Sequence, residues 1–155
     1  MRRRRLWAAC VVLLVGVVGV LAVGTGFAND EDAAGAKCSE ATLDGRYLFA
    51  EDGVHIKGND QVPFAVAGYE VYNGNGKVDS VFSSNFNGQV THKEHASATN
   101  TVKADCTGTN TYTDGTRYDL FIAPDGSMFT FVQTKPKSDV ASAFNLRGTA
   151  KRVGD

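Results

Sequence analysis

The chain has 155 residues, with 17 glycines, 3 prolines and 16 basic against 17 acidic side chains. That is enough for one domain with one core. The charges are scattered, so no basic stripe can track a phosphate backbone and a nucleic-acid partner is excluded.

The first residues do not look like part of a fold. Arg2 to Arg5 form a positive cluster, Leu6 to Val23 follow without charge, and Gly26-Phe27-Ala28 sets small residues at the −3 and −1 positions of a cleavage site. This predicts a secretory signal peptide over residues 1–28, cut after Ala28. An uncleaved signal anchor spanning the membrane through residues 6–23 is the alternative, because the apolar run just reaches a span's length. Cys10 lies inside that run and is not expected to carry a lipid. Cleavage leaves 12 basic against 17 acidic side chains, about −5, which suits a soluble protein secreted or held in the cell envelope.

Residues 29–37 (NDEDAAGAK) are small and acidic, and read as a flexible leader. The domain then runs over residues 38–152. Its two cysteines, Cys38 and Cys106, would sit in an oxidising compartment, where a lone pair forms a disulfide. Neither has a base close in sequence to make it a catalytic thiol.

From Cys38 onward no segment keeps a helical period, and Thr, Val, Phe and Tyr fill the runs between turns. Turns are expected at Asp44-Gly45, Asp52-Gly53, Asn73-Gly74-Asn75-Gly76, Asn87-Gly88, Asp114-Gly115 and Asp125-Gly126, where Asn-Gly and Asp-Gly tolerate positive φ. Strands are expected near 45–51, 62–72, 77–86, 89–97, 99–104, 107–113, 116–123, 127–134 and 141–152. One long bent strand is the alternative around 97–104, and a short helix could form near Glu40 or at Pro136–Val140. The fold class is therefore all-β: a single small antiparallel up-and-down β-barrel of about eight strands, of a size that just fills or holds one small ligand. A sandwich is the runner-up, but its crossings need longer connections.

Alternation assigns the faces. Phe64, Val66, Gly68, Glu70 and Tyr72 share one face of the second strand, and the interior is expected to take Tyr118, Leu120, Ile122, Phe129 and Phe131. Several opposite faces are also partly apolar, which points to a homo-oligomer contact or a covering segment.

Four stretches then look familiar: CSEATLDGRYLFA at the domain's start, YNGNGKVD at a hairpin, ADCTGT in mid-chain and APDGSMFTFVQTKPKSDVASAFNLRGTAKR at its end. This pattern resembles small exported bacterial barrels of the allene oxide cyclase barrel-like and calycin type, over roughly Cys38–Arg152. The resemblance implies an eight-stranded barrel with a mainly apolar cavity, in which some relatives cyclise or isomerise apolar substrates. It places no catalytic residue on any position of this chain.

Three polar stretches compete as sites. THKEH (Thr91 to His95) lacks the metalloprotease spacing, and strand alternation puts His92 and Glu94 on one face with His95 on the other. NGNGKVD (Asn73 to Asp79) has a lysine where a calcium loop needs oxygen, so no metal site is expected. Glu70 is the candidate catalytic residue, since an acid on an apolar inward face would be held partly neutral and able to give or take a proton. Gln133 or a tyrosine is its expected polar partner. Phe64, Val66, Tyr72, Tyr118, Phe129 and Phe131 complete the candidate ligand-binding set. No phosphate loop, dinucleotide fingerprint or nucleophile elbow occurs, so no cofactor is expected. The leading reading is a barrel that binds an apolar small molecule. The alternatives are a cofactor-free cyclase or isomerase in the same cavity, and a ligand-free structural barrel.

Overall fold

The computed structural model describes residues 37–57, 59–136 and 143–154. The expected signal segment, the leader as far as residue 36 and all but Pro136 of the helix expected at Pro136–Val140 lie outside the described residues. No helix among them is long and apolar enough to cross a membrane.

A 3-10 turn at Glu40–Thr42 leads into eight strands: β1 Asp44–Lys57, β2 Asp60–Asn73, β3 Lys77–Phe86, β4 Gln89–Val102, β5 Thr107–Tyr112, β6 Arg117–Ile122, β7 Met128–Lys135 and β8 Ala143–Val153. Each pairs antiparallel with the next, and β8 returns to β1, so the sheet closes as a barrel with no free outer strand.

The short turns follow local chemistry. Asn87 and Gly88 both take positive φ, 49° and 86°, as a two-residue hairpin of this twist demands. Asp114 and Asp125 each accept the backbone N–H two residues on, at 2.9 and 3.0 Å, which shapes the turns around Gly115 and Gly126. Asn73 Oδ1 accepts the N–H groups of Asn75 and Lys77, so this loop is held by its own side chain.

Three expectations are corrected. Asp52-Gly53 is not a turn but the middle of β1, with Asp52 opposite Ala65 and Arg147 and Gly53 opposite Phe64 and Leu146. Ladders on both flanks outweigh the local turn preference there, and the chain reverses between Lys57 and Asp60 instead. The separate strands at 89–97 and 99–104 are one strand, β4. Within it Lys93 has φ 52° and the register slips between Phe82 and Ser84, the mark of a β-bulge. Thr91 then faces Ser84, with their hydroxyls 2.8 Å apart, so the simple alternation expected for His92 and Glu94 does not hold.

One end of the barrel is shut. Leu43, Tyr47, Tyr72, Val78 and Phe129 are no more than 1% exposed. The rings of Tyr47, Tyr72 and Phe129 meet at 5.2–5.7 Å between centroids. Tyr47 donates to Gly126 O at 2.6 Å and accepts from Arg152 Nε, while Arg152 also donates to Thr42 O. A Cβ at Gly126 would lie 2.1 Å from Thr42 O, so only glycine lets the β6–β7 turn press against the 3-10 turn. The Cys38–Cys106 disulfide closes a 68-residue separation at this same end.

Candidate functional site

The other half of the barrel is hollow. A cavity of about 410 Å³ is walled by Phe49, Phe64, Val66, Phe82, Leu120, Phe131 and Leu146, with Phe129 and Asn110 among its lining residues. Strand length explains how it opens. β4 is 14 residues long, but among the described residues it pairs with β5 only over Ala98–Val102. β5 and β6 have six residues each, so the wall is low beyond Ser97. Glu94, His95, Thr113 and Asp114 stand exposed around the cavity there.

Glu70 is the centre of the polar floor. The inward parity of β2 carries it into the barrel, where it is 5% exposed. Its Oε2 accepts the Tyr72 hydroxyl at 2.8 Å, and its Oε1 accepts the hydroxyls of Tyr112 and, at 3.4 Å, Ser80. Asn110 Nδ2 donates to the Tyr72 oxygen at 2.6 Å, completing a chain across β2 and β5. Burial pushes the Glu70 carboxyl upward, while the hydrogen bonds from Tyr112, Tyr72 and Ser80 pull it back; the net direction is up. Tyr72 and Tyr112 are driven well above the usual tyrosine range, first by burial and then by the Glu70 charge, so both stay protonated donors.

A second acid lies beside it. Glu51, on β1 and 8% exposed, receives the Tyr118 hydroxyl at 3.4 Å. Burial first, and then the neighbouring Glu70 charge, push Glu51 up to about 7. Two buried carboxyls thus share one floor, and one of them exchanges its proton near neutrality. Asn110 Oδ1 and Gln133 Oε1 are buried acceptors without a hydrogen-bond donor among the described residues.

The expected site residues divide in two. Phe64, Val66, Glu70, Tyr118, Phe129, Phe131 and Gln133 all line the cavity. Tyr72 lies below it in the packed end, reaching the site through Glu70, Asn110 and the ring of Phe129. Of the two partners expected for Glu70, the tyrosine alternative is the one present: its hydroxyl donors are Tyr72, Tyr112 and Ser80, while Gln133 is on the cavity wall. Glu51, Phe49, Phe82, Asn110, Tyr112 and Leu146 were not anticipated. A usable signal existed for two of them: Phe49 and Glu51 share parity with Tyr47, which pairs directly with Glu70. No group of three or more His, Cys, Asp or Glu that could hold a metal occurs among the described residues.

Fold and site together define a small closed barrel, shut at one end and hollow at the other. No family model matches the sequence, and no curated protein matches it. Among solved structures the chain is similar to EF1p2_mFAP2b bound to DFHBI, with 16% identity over 72% of this chain and 94% of that one and a TM-score of 0.44. A likeness of that size bears on neither ligand nor chemistry.

Proposed function

We propose that this is an exported binding protein that takes a small, largely apolar molecule into the hollow half of its barrel. The cavity carries the reading. Protein interiors leave few voids larger than a water molecule, so a barrel evolved only to pack itself would have no reason for about 410 Å³ of open interior. That volume is in the range of small-molecule sites, and its aromatic walls with a few convergent polar groups match their usual make-up. The disulfide supports an extracytoplasmic setting. The test is titration with N-phenyl-1-naphthylamine, a neutral apolar fluorophore. Saturable emission at one dye per barrel, weakened at least tenfold in Val66→Phe, is expected; no saturable binding by the parent protein would overturn the reading.

The Glu51–Glu70 pair supports a second reading, the cofactor-free cyclase or isomerase that the allene oxide cyclase barrel-like resemblance implies. A carboxyl titrating near 7 beside a hydrogen-bonded acid can give and take protons at physiological pH. Compounds that copurify from the native source would be incubated with the protein in D₂O. Deuterium entering a C–H position with the parent protein and not with Glu51→Gln would favour the enzyme, and unlabelled ligand would leave the binding protein.

A further inference from the structure

We infer that the ligand is an organic cation: an ammonium group on an apolar body, with the ammonium between Glu51, Glu70 and Asn110 Oδ1 and the body against Phe49, Phe64 and Phe131. The inference rests on the binding reading above and gives it a ligand class.

The sign of the cavity comes first. Four acids line it, Glu51 and Glu70 on the floor and Glu94 and Asp114 toward the opening, together with His95. No lysine or arginine among the described residues lines it. Arg117 is exposed and lies 3.8 Å from Asp119, and Arg147 is exposed on β8 opposite Asp52. The groups acting on Glu51 are Glu70 and Tyr118, and those on Glu70 are Tyr112, Tyr72 and Ser80, so neither carboxyl has a cation as partner among the described residues. Buried charges are ordinarily paired, and a pair of acids without a cation is costly unless one keeps a proton or a positive group arrives from outside.

The acceptors are the second, independent observation. Asn110 is 2% exposed and lines the cavity. Its Nδ2 is committed to the Tyr72 oxygen, which fixes the amide's orientation and leaves Oδ1 with no donor among the described residues. Among the described residues Glu51 has one long bond, from Tyr118. A carboxylate offers about four acceptor sites, so Glu70 retains room beyond its three hydroxyls. The donors of the floor, the hydroxyls of Tyr72, Tyr112, Ser80 and Tyr118, are already committed, so among the described residues it has spare acceptors and no positive charge. A primary ammonium brings three donors and one charge, and aromatic faces around it add cation–π attraction. A carboxylate or phosphate ligand would meet only like charge.

The test compares three probes of one shape on the mature protein at pH 7.5: 2-(1-naphthyl)ethylamine, 2-(1-naphthyl)ethanol and 1-naphthylacetate, each displacing N-phenyl-1-naphthylamine. The amine is expected to bind at least tenfold tighter than the alcohol, with the acid weakest. Glu51→Gln should remove most of the amine's advantage and leave the alcohol within about twofold, with dye binding showing that the variant is folded. Because the cation favours ionised Glu51, the amine's affinity should rise by up to about tenfold per pH unit below 7 and level off above it, with proton release measurable in buffers of different ionisation heat. Alcohol binding as tightly as amine would overturn the cation and leave apolar binding intact, as would dye binding that none of the probes displaces. If neither dye nor probe binds, both readings fall.

Discussion

The two halves of this barrel are built from the same strands in the same parity, yet one is solid and the other hollow. Along β1 the successive inward residues are Tyr47, Phe49 and Glu51; along β7 they are Phe129, Phe131 and Gln133. The first of each set is no more than 1% exposed in a ring-on-ring core, whose Phe129 forms the base of the cavity, and the others line its wall. The change comes partly from strand length, since β5 and β6 end where the long strands β1, β2 and β4 continue. It also comes from an inward glycine: at Gly148 a Cβ would lie 2.5 Å from Phe131 Cζ, so the ring leans into space that a larger residue would take. Closure of the barrel fixes the fold, whereas filling is decided strand by strand.

The sharpest way to break that contrast is a pair of truncations. Phe129→Ala removes a fully buried ring from the closed end and should cost about 3 to 5 kcal/mol in urea unfolding. Phe131→Ala, on the cavity wall and at 8% exposure against 1%, should cost about half as much, because its ring is less completely enclosed. Equal costs would mean that the hollow half is as tightly held as the solid one.

Next in size is the disulfide. Replacing Cys38 and Cys106 together with serine frees a 68-residue separation, which the chain-entropy relation values at roughly 4 kcal/mol as an upper figure. The loss should appear in the unfolding midpoint and leave dye binding intact in the folded fraction, since the bridge lies at the shut end. Lost affinity without lost stability would show that the two ends are coupled.

Much of this was legible in the sequence, and the failures share a cause. Turn pairs at Asn87-Gly88, Asp114-Gly115 and Asp125-Gly126 marked hairpins because positive φ is a local demand that local residues satisfy. Asp52-Gly53 misled for the same reason: the pair permits a turn, but β2 and β8 on either side hold it extended. That one error removed Glu51 from view by ending its strand at the acid. Glu70 was visible through parity with Val66 and Tyr72. Its partner Tyr112 and the Asn110 that holds Tyr72 were not, because they lie about 40 residues away on β5 and pairing register decides who meets. The bulge at Lys93 reset the faces of β4 with no glycine to announce it.

Removing the Glu51 charge tests the floor of the hollow half. Its carboxyl rises from the usual 4.5 to about 7, so the folded chain keeps this proton to higher pH than the unfolded chain does. Stability from this group is therefore whole below pH 4.5, declines as pH rises, and levels off above 7. The difference converts to about 3 kcal/mol. Glu51→Gln should stabilise the protein by up to that amount at pH 8 and change little at pH 4, measured by urea unfolding at both. Destabilisation at pH 8 would mean that the ionised carboxyl is held by contacts stronger than its burial.

The smallest effect carries the finest comparison, because it asks for opposite signs from one chemical change. Val66 and Val78 are both inward, both buried and both on neighbouring strands, at 6% and 1% exposure. Val66 borders the cavity, whereas Val78 belongs to the packed end. An added methylene at Val78 has to displace neighbours in a filled interior, so Val78→Ile should cost about 1 kcal/mol or more. At Val66 the same methylene enters open space and removes apolar surface from water, so Val66→Ile should be neutral or stabilising by up to about 0.8 kcal/mol. It should also cut dye affinity by a few fold, since it takes volume from the ligand. Two destabilised variants would show that the cavity wall around Val66 is packed as closely as the shut end, and the difference between the halves would then lie in the strand lengths alone.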